Sequence, residues 1–212
     1  MDPRKVLLGE KMFHDQRLSA DDTISCASCH NLGSGGVDGL KKPLGIGGAE
    51  GEINTPTVFN SAYNFTQFWD GRAENLEEQA SGPVHNPAEM GSNWDQVVAK
   101  LKRDAQIVSA FEAIYSDGVT GDNIVDAIAT FERTLVTINA PFDQYLKGDT
   151  SAISEQAARG YGLFHSHGCP DCPHDGNLGG TTYQAVGAPG DQYGSRGAES
   201  QHDEGPDKCT AP

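Results

Sequence analysis

Cys26-Ala27-Ser28-Cys29-His30 decides how the rest of this sequence is interpreted, because two cysteines three positions apart followed by a histidine form the attachment signature of a c-type haem. Each cysteine can form a thioether with a porphyrin vinyl group, and the histidine can then ligate the iron. Cys-x-x-Cys also occurs in redox-active disulfides and in zinc sites. A redox motif does not need His30, and a zinc site needs a second matching pair, so the pattern favours haem.

The charge balance limits the partners of the chain. Its 212 residues include 30 acidic and 15 basic side chains, which give a formal charge of −15. This charge argues against nucleic acid and anionic membrane surfaces and suits a small basic protein, although solubility alone explains it equally well. No apolar run approaches the ~20 residues that a membrane-spanning helix needs, so we expect no membrane span.

The N-terminus and the cysteine count both fit covalent haem attachment, which usually takes place outside the bacterial cytoplasm. The start, Met1-Asp2-Pro3-Arg4, is polar and shows no signal peptide, so we interpret it as a mature or clipped N-terminus. Five cysteines form two Cys-x-x-Cys pairs plus Cys209. This odd number fits haem anchoring better than a disulfide framework.

Apolar residues at helical spacing predict a mainly α-helical protein with long ordered loops. The expected helices run from Val6 to Phe13, from Leu76 for about ten residues, from an N-cap at Ser92 through Leu101, from Ile124 to Ile138, and after an N-cap at Ser154. We expect the first helix to pack on the haem edge. The fourth, about 17 residues long and stopped by Pro141, should form the main packing face. The glycine-rich stretch 31–57 and the proline-containing stretch 82–87 predict loops.

A second cysteine pair lies in a separate C-terminal module. It reads Cys169-Pro170-Asp171-Cys172-Pro173-His174, with the histidine one place later than in the first motif. Thiolates and imidazoles are zinc ligands, so zinc is an alternative to haem here. Its ligands would be Cys169, Cys172, His174 and either His165 or His167. From Gly187 onward almost no apolar residues remain, and we expect a disordered tail.

An ordered series of motifs over about 180 residues gives the chain a resemblance to the bacterial di-haem cytochrome c peroxidase family, which includes the MauG-like proteins. The motifs are Leu8-Gly9 with Phe13 and Leu18-Ser19, the Cys26–His30 stretch, Gly35-Gly36, the stretch 54–60, the stretch 67–72, the stretch 76–79, Gly82-Pro83, Glu89-Met90-Gly91, the stretch 129–135 and Phe142-Asp143. The whole series is far more specific than any single motif.

The resemblance implies a mainly α-helical protein of two cytochrome c-like domains, each with a covalent haem c. Residues 1–148 would form the N-terminal peroxidatic domain, 149–186 the start of an incomplete second domain, and 187–212 a disordered or aberrant tail. In this pattern the N-terminal haem reduces hydrogen peroxide and the C-terminal haem delivers electrons.

The resemblance also implies roles for residues of the first haem site. Cys26 and Cys29 would anchor the haem, His30 would ligate its iron, and Glu89 and Gln79 would line the open distal side. A carboxylate within hydrogen-bond reach can move a proton from the inner to the outer oxygen of peroxide. We therefore expect Glu89 to transfer the proton and Gln79 to orient the peroxide, although Glu89 alone would be interpreted as one more exposed acid.

Two further residues gain roles only through the resemblance. A single tryptophan such as Trp69 is usually core packing, but the family's pattern makes it a bridge between the haems. Asn54 becomes a ligand of the calcium ion between the family's domains. One side-chain oxygen does not complete a calcium site of six to eight ligands, so Asn54 needs partners.

The chain departs from the family's pattern at three places. Ile46 stands where some members carry a histidine that caps the peroxidatic iron, so we hypothesise a site that is open without reductive activation. At the second motif Pro173 replaces the iron-ligating histidine, and His174 is an imperfect substitute for it. The rest of the second domain, with the methionine expected on its haem, is missing. We interpret the chain as a fragment or a reading-frame artefact.

Together these observations predict a periplasmic c-type haem peroxidase that reduces hydrogen peroxide to water with electrons from a small cytochrome c or copper protein. One haem c is expected at the first motif, and a second haem, calcium and a homodimer are further candidates. The alternative is a mono-haem electron-transfer or haem-binding remnant without peroxidase activity. MauG-like oxidation of a protein partner would need two high-valent haems, and a second axial ligand is not evident.

Overall fold

The computed structural model describes residues 1–167 and shows a helical fold. The α-helices in this range are α1 (Pro3–Phe13), α2 (Cys26–Cys29), α3 (Leu76–His85), α4 (Trp94–Leu101), α5 (Ala105–Glu112), α6 (Gly121–Glu132), α7 (Pro141–Leu146) and α8 (Glu155–Ser166). Short 3₁₀ turns and two isolated β-bridges, without a strand, complete the regular structure of residues 1–167. The predicted mainly α fold is therefore confirmed.

Helix α6 is the centre of the fold, because α1, α3 and α4 all pack against it. The apolar face of α1 buries Met12 and Phe13 completely, and the ring of Phe13 meets that of Phe131 edge-on at 5.3 Å. This face contacts α6 rather than the cavity described below, which corrects the expectation that α1 packs on the haem edge. The reason is the position of Gly9, which lets the two helices approach at a distance that no side chain would allow.

The helical pattern predicts that α6 continues to Ile138, but the helix ends at Glu132. After Glu132, the backbone groups of residues 135 and 137 form hydrogen bonds with Asn60, which is distant in the sequence, instead of continuing the helix. Asn60 N–H donates to the Leu135 carbonyl at 2.8 Å, and Thr137 N–H donates to Asn60 Oδ1 at 3.0 Å. Ile138 is consequently 80% exposed, and Pro141 begins α7 instead of ending α6. Proline suits a first helical position because the amide it lacks has no helical partner there.

Helix α3 also differs from the expectation, since it continues through Pro83 to His85 where the sequence predicts a loop. Proline removes one hydrogen bond from a helix interior. Here burial of Val84 and a hydrogen bond from Asn86 N–H to the Gly82 carbonyl at 3.0 Å keep the last turn helical. The N-cap of α4 is Asn93 rather than the predicted Ser92, because Asn93 Oδ1 accepts the Gln96 N–H at 3.0 Å.

The last described elements begin the predicted second module. Ser154 caps α8 as predicted, with its Oγ accepting the Ala157 N–H at 3.1 Å. The second cysteine pair, His174 and the tail from Gly187 lie outside the described residues, so their predicted roles stay predictions. Among residues 1–167, no helix has both the length and the apolar character that crossing a membrane requires.

Candidate functional site

A cavity of about 670 Å³ lies between α2, the glycine-rich loop 31–57, α3 and the end of α6. Cofactor pockets commonly have volumes of about 300–1,000 Å³, so a cofactor-sized group fits. The cavity brings together predicted site residues that are far apart in the sequence. These residues are Cys26, Cys29, His30, Trp69, Gln79 and Glu89.

The single turn of α2 presents both cysteines to the cavity. Ser25 N–H donates to Ser28 Oγ at 2.9 Å at the start of the turn, and His30 N–H donates to the Cys26 carbonyl at 2.9 Å at its end. Residues three apart lie on the same face of a helix, so the two sulfur atoms can reach neighbouring substituents of one ring. The turn therefore fixes the thiol spacing that haem attachment requires.

The surroundings of the two cysteines argue against the redox-active disulfide interpretation of the motif. Burial raises the pKa of Cys26 strongly, and Glu132 adds to the effect. Burial also raises the pKa of Cys29 to about 11, with further contributions from Asp38 and Glu89. Reactive cysteines instead have thiolates stabilised by positive surroundings. Neither cysteine therefore has the stabilised thiolate of a redox-active motif.

His30 is held in one orientation by the glycine-rich loop. Its Nδ1 lies 3.2 Å from the Gly36 carbonyl oxygen, so the neutral ring donates from Nδ1, and the ring also interacts with the Pro56 backbone. Burial lowers the pKa of His30, which favours the neutral ring. Gly36 is required here, because it has φ of +75° and a Cβ would lie 2.8 Å from Thr57 Oγ1. This tautomer has its lone pair on Nε2, the nitrogen that could ligate an iron ion.

Glu89 lies in the wall of the same cavity, on the turn that follows α3. Burial raises its pKa, while a hydrogen bond from Asn86 and the charge of Arg72 act in the opposite direction. Asn86 Nδ2 donates to Glu89 Oε1 at 2.7 Å. The glycine-rich loop closes over this turn through a hydrogen bond from Ile46 N–H to the Glu89 carbonyl at 2.8 Å. Glu89 is therefore a largely buried carboxyl group, not one more exposed acid.

Arg72 reaches the cavity through an unusual contact with Phe68. Its guanidinium carbon lies 3.6 Å from the centre of the Phe68 ring, a cation–π contact, and it also pairs with Asp70 at 2.8 Å. Phe68 has φ of +66°, which is rare for a bulky residue. Gly82 of α3 makes room for the ring, since a Cβ there would lie 2.9 Å from Phe68 Cζ. This contact fixes a positive charge beside Glu89.

Trp69 and Asn54 are brought together by the structure, but not in the core. Trp69 is 52% exposed, so the initial interpretation as core packing is wrong. Its Nε1–H donates to the Asn54 carbonyl at 2.9 Å, and Asn54 Nδ2 donates to the Leu40 carbonyl at 2.7 Å. Among residues 1–167, no group of three or more His, Cys, Asp or Glu side chains is placed to hold a metal ion. The calcium site at Asn54 therefore stays a prediction.

The sequence interpretation missed Glu132 as a residue of the site. It is only 5% exposed, it lines the cavity, and its Oε2 has no hydrogen-bond partner. Ser61 Oγ is a second unpaired buried atom in the cavity wall. The helical pattern contained the signal, because Glu132 follows the buried Ile128 by four residues and so shares its face. Unpaired polar atoms in a cavity of this size fit a bound cofactor.

Comparison with known proteins agrees with the geometry. The sequence model of the family described as di-haem cytochrome c peroxidase matches residues 3–151. The cytochrome c peroxidase of Escherichia coli is 52% identical over 187 residues, which are 88% of this chain and 40% of that protein. The cytochrome c551 peroxidase of Nitrosomonas europaea is 45% identical over 181 residues, or 85% of this chain and 54% of that protein.

Solved structures show the same fold. A MauG-like protein associated with microbial copper homeostasis superposes with a TM-score of 0.70 at 30% identity, over 77% of this chain and 49% of that protein. The diheme peroxidase BthA from Burkholderia thailandensis has the same fold, with a TM-score of 0.66 at 24% identity over 80% of this chain and 47% of that one. The chain spans about half the length of the curated relatives it matches. It belongs to the di-haem cytochrome c peroxidase family.

Proposed function

We propose that this chain carries the peroxide-reducing site of a c-type haem peroxidase, which converts hydrogen peroxide to water with electrons from a small redox protein. The observation that carries the proposal is the placement of Glu89 and Gln79 in the same cavity as Cys26, Cys29 and His30. The names of the relatives, cytochrome c peroxidase and cytochrome c551 peroxidase, support the reaction class.

Three residues of this chain would hold the haem. Cys26 and Cys29 supply the sulfur atoms for two thioether bonds, and His30 offers Nε2 as the iron ligand because Nδ1 is bound to the Gly36 carbonyl. Haem c, when attached, supplies a redox-active iron that can bind peroxide. A second haem at Cys169 and Cys172, with His174 as a candidate ligand, belongs to the same proposal.

Glu89 is positioned to transfer protons during the reaction. Reduction of one hydrogen peroxide consumes two electrons and two protons and gives two water molecules. Asn86 occupies Oε1 of Glu89, so Oε2 is available to take a proton from the inner peroxide oxygen and return it to the outer one. A carboxyl group whose pKa is raised by burial transfers protons more readily near neutral pH. Gln79 can donate and accept hydrogen bonds and so orient the peroxide.

Trp69 is the proposed point of electron entry. Its indole lines the cavity but is half exposed, and its hydrogen bond to the Asn54 carbonyl fixes the ring. Electrons would come from a second haem module or directly from a small cytochrome c or copper protein. The charge of −15 would steer a basic donor towards the chain. We place the protein in the periplasm, where covalent haem attachment usually occurs.

The proposal is tested with purified protein whose attached haem is counted by the pyridine haemochrome assay and by intact mass. Peroxide-dependent oxidation of a reduced small cytochrome c is then measured. Glu89→Gln should lower kcat by about 10²–10⁴-fold, the usual contribution of a general acid–base group. Glu112→Gln, at an exposed position of α5, is the matched control and should leave kcat unchanged. A wild-type chain that binds haem but shows no turnover would instead support an electron-transfer or haem-binding remnant.

A further inference from the structure

A second carboxyl group in the cavity has no part in the proposed peroxide chemistry. Glu132 ends α6, is only 5% exposed, and lies in the same cavity wall as Ile128 and Ser61. Glu132 Oε2 and Ser61 Oγ are both buried and lack a hydrogen-bond partner within the described part of the chain. Buried polar atoms are normally paired, so these two atoms indicate that a group inside the cavity interacts with them.

Few charges face Glu132, and those that do largely offset each other. Arg133 lies next to it, but the Arg133 guanidinium donates to the Glu77 carboxylate of α3 at 2.8 Å. Two cations on helices that pack against α6 are paired with other acids: Lys5 of α1 with Asp126, and Lys100 of α4 with Asp22. The charge on Glu132 is therefore governed by its burial and by whatever occupies the cavity.

We propose that Glu132 takes up a proton when the haem anchored at Cys26 and Cys29 is reduced. A small redox protein donates one electron to the ferric iron, which becomes ferrous, and one proton from solvent binds to Glu132 Oε2. The carboxylate becomes a carboxylic acid, so the net charge of the cavity does not change. This inference rests on the haem-attachment part of the proposed function and is independent of peroxide turnover.

The physical reason is that an uncompensated charge in a buried cavity is energetically unfavourable. An electron added to a low-dielectric site interacts strongly with charges nearby, and a proton on an adjacent carboxylate compensates it. Burial raises the pKa of Glu132 to about 8, with Arg133 opposing and Glu77 adding to the effect. The carboxyl group thus titrates in the range where an added electron can change its protonation. Haem attachment also converts the Cys26 thiol into a thioether, which removes a neighbouring titrating group.

The test measures the midpoint potential of the N-terminal haem as a function of pH by spectroelectrochemistry. The background substitutions C169S and C172S leave Cys26 and Cys29 as the anchoring pair. The wild-type site should show a potential that falls as pH rises, by up to about 59 mV for each tenfold change in proton concentration in a one-electron couple. Glu132→Gln should abolish this slope, whereas Glu132→Asp should keep a slope and shift its pH range.

Infrared difference spectra of the reduced and oxidised states give a second readout. Reduction of the wild-type site should produce a carboxylic acid C=O band that Glu132→Gln removes. Glu77→Gln is the matched control, since it removes a carboxylate that lies beside Arg133 and outside the cavity; it should keep both the slope and the band, with the slope moved to lower pH because Glu77 raises the pKa of Glu132.

A wild-type slope retained in Glu132→Gln would overturn the proposal. If Glu132→Gln does not bind haem, the infrared difference spectrum of the wild-type protein tests the proposal instead. Absence of a carboxylic acid band from that spectrum would overturn the proposal. Loss of peroxide turnover with the slope and band intact would instead contradict only the proposed function.

Discussion

Gly9 of α1 lies so close to Ala127 of α6 that a Cβ on Gly9 would be 1.9 Å from the Ala127 carbonyl oxygen. Ile128 and Glu132 of α6 form part of the cavity wall. The backbone of α6 therefore cannot move away from Gly9 without displacing this wall. The crossing of α1 and α6 therefore fixes the position of one wall of the site.

Gly9→Ala should consequently destabilise the fold. Overpacking of a tight contact commonly costs about 1–3 kcal/mol, and here the obstacle is backbone. Gly160→Ala is the control, because a Cβ on Gly160 of α8 would meet no atom within 4 Å, and alanine favours helix there by about 0.5–1 kcal/mol. Denaturant unfolding of both variants measures the difference. Equal midpoints for Gly9→Ala and wild type would show that α1 can shift freely.

The contact of Arg72 with Phe68 leads to a prediction about pH dependence. Arg72 lowers the pKa of Glu89, against the larger effect of burial. Arg72→Gln should therefore raise the pKa of Glu89 and move the acidic limb of the kcat/KM profile to higher pH, because the carboxylate form is the one that accepts the first proton. Arg159→Gln, at an exposed position of α8 that pairs with Glu155 of the same helix, should leave the limb in place. A limb unmoved by Arg72→Gln would mean that Glu89 is not the titrating group.

The sequence allowed the first haem motif and the helical fold to be predicted because both depend on local patterns. Cys26, Cys29 and His30 lie within or next to a single helical turn. Ser154 caps α8 by accepting a hydrogen bond from the Ala157 N–H, three residues later. The family resemblance added Glu89 and Gln79, which no local pattern would have selected.

The errors arose where distant contacts override local preference. Hydrogen bonds between Asn60 and the segment after α6 end that helix at Glu132, and nothing in the pattern around Ile138 indicates this. Pro83 stays helical because the last turn of α3 buries Val84. Glu132 was missed because glutamate is mostly an exposed residue, and only the packing around the cavity shows that this one is buried.

The burial of Glu132 also predicts how stability depends on pH. The folded protein binds this proton with a pKa of about 8, whereas the ordinary value is 4.5, so between these values the folded state holds more protons than the unfolded state. Stability from this group is therefore greatest below pH 4.5 and falls as pH rises towards 8, by at most about 1.4 kcal/mol per pH unit.

Glu132→Gln should flatten this decline, and Glu112→Gln should preserve it, since Glu112 is exposed on α5. Denaturant unfolding across the same pH range measures the slope. An unchanged slope in Glu132→Gln would show that the carboxyl group is already ionised throughout the range.

Ile46 bears on whether the site is open to peroxide in the resting protein. Its backbone N–H is bound to the Glu89 carbonyl, and its Cδ1 lies against Gly91, where any added Cβ would clash. Isoleucine has no atom that can ligate iron, so we expect a high-spin spectrum from the N-terminal haem in the fully oxidised protein. Ile46→His should convert this spectrum to low spin and slow the first turnover, whereas Ile46→Leu should preserve it. A low-spin, six-coordinate wild-type spectrum would mean that another side chain caps the iron, and the site would then need reductive activation after all.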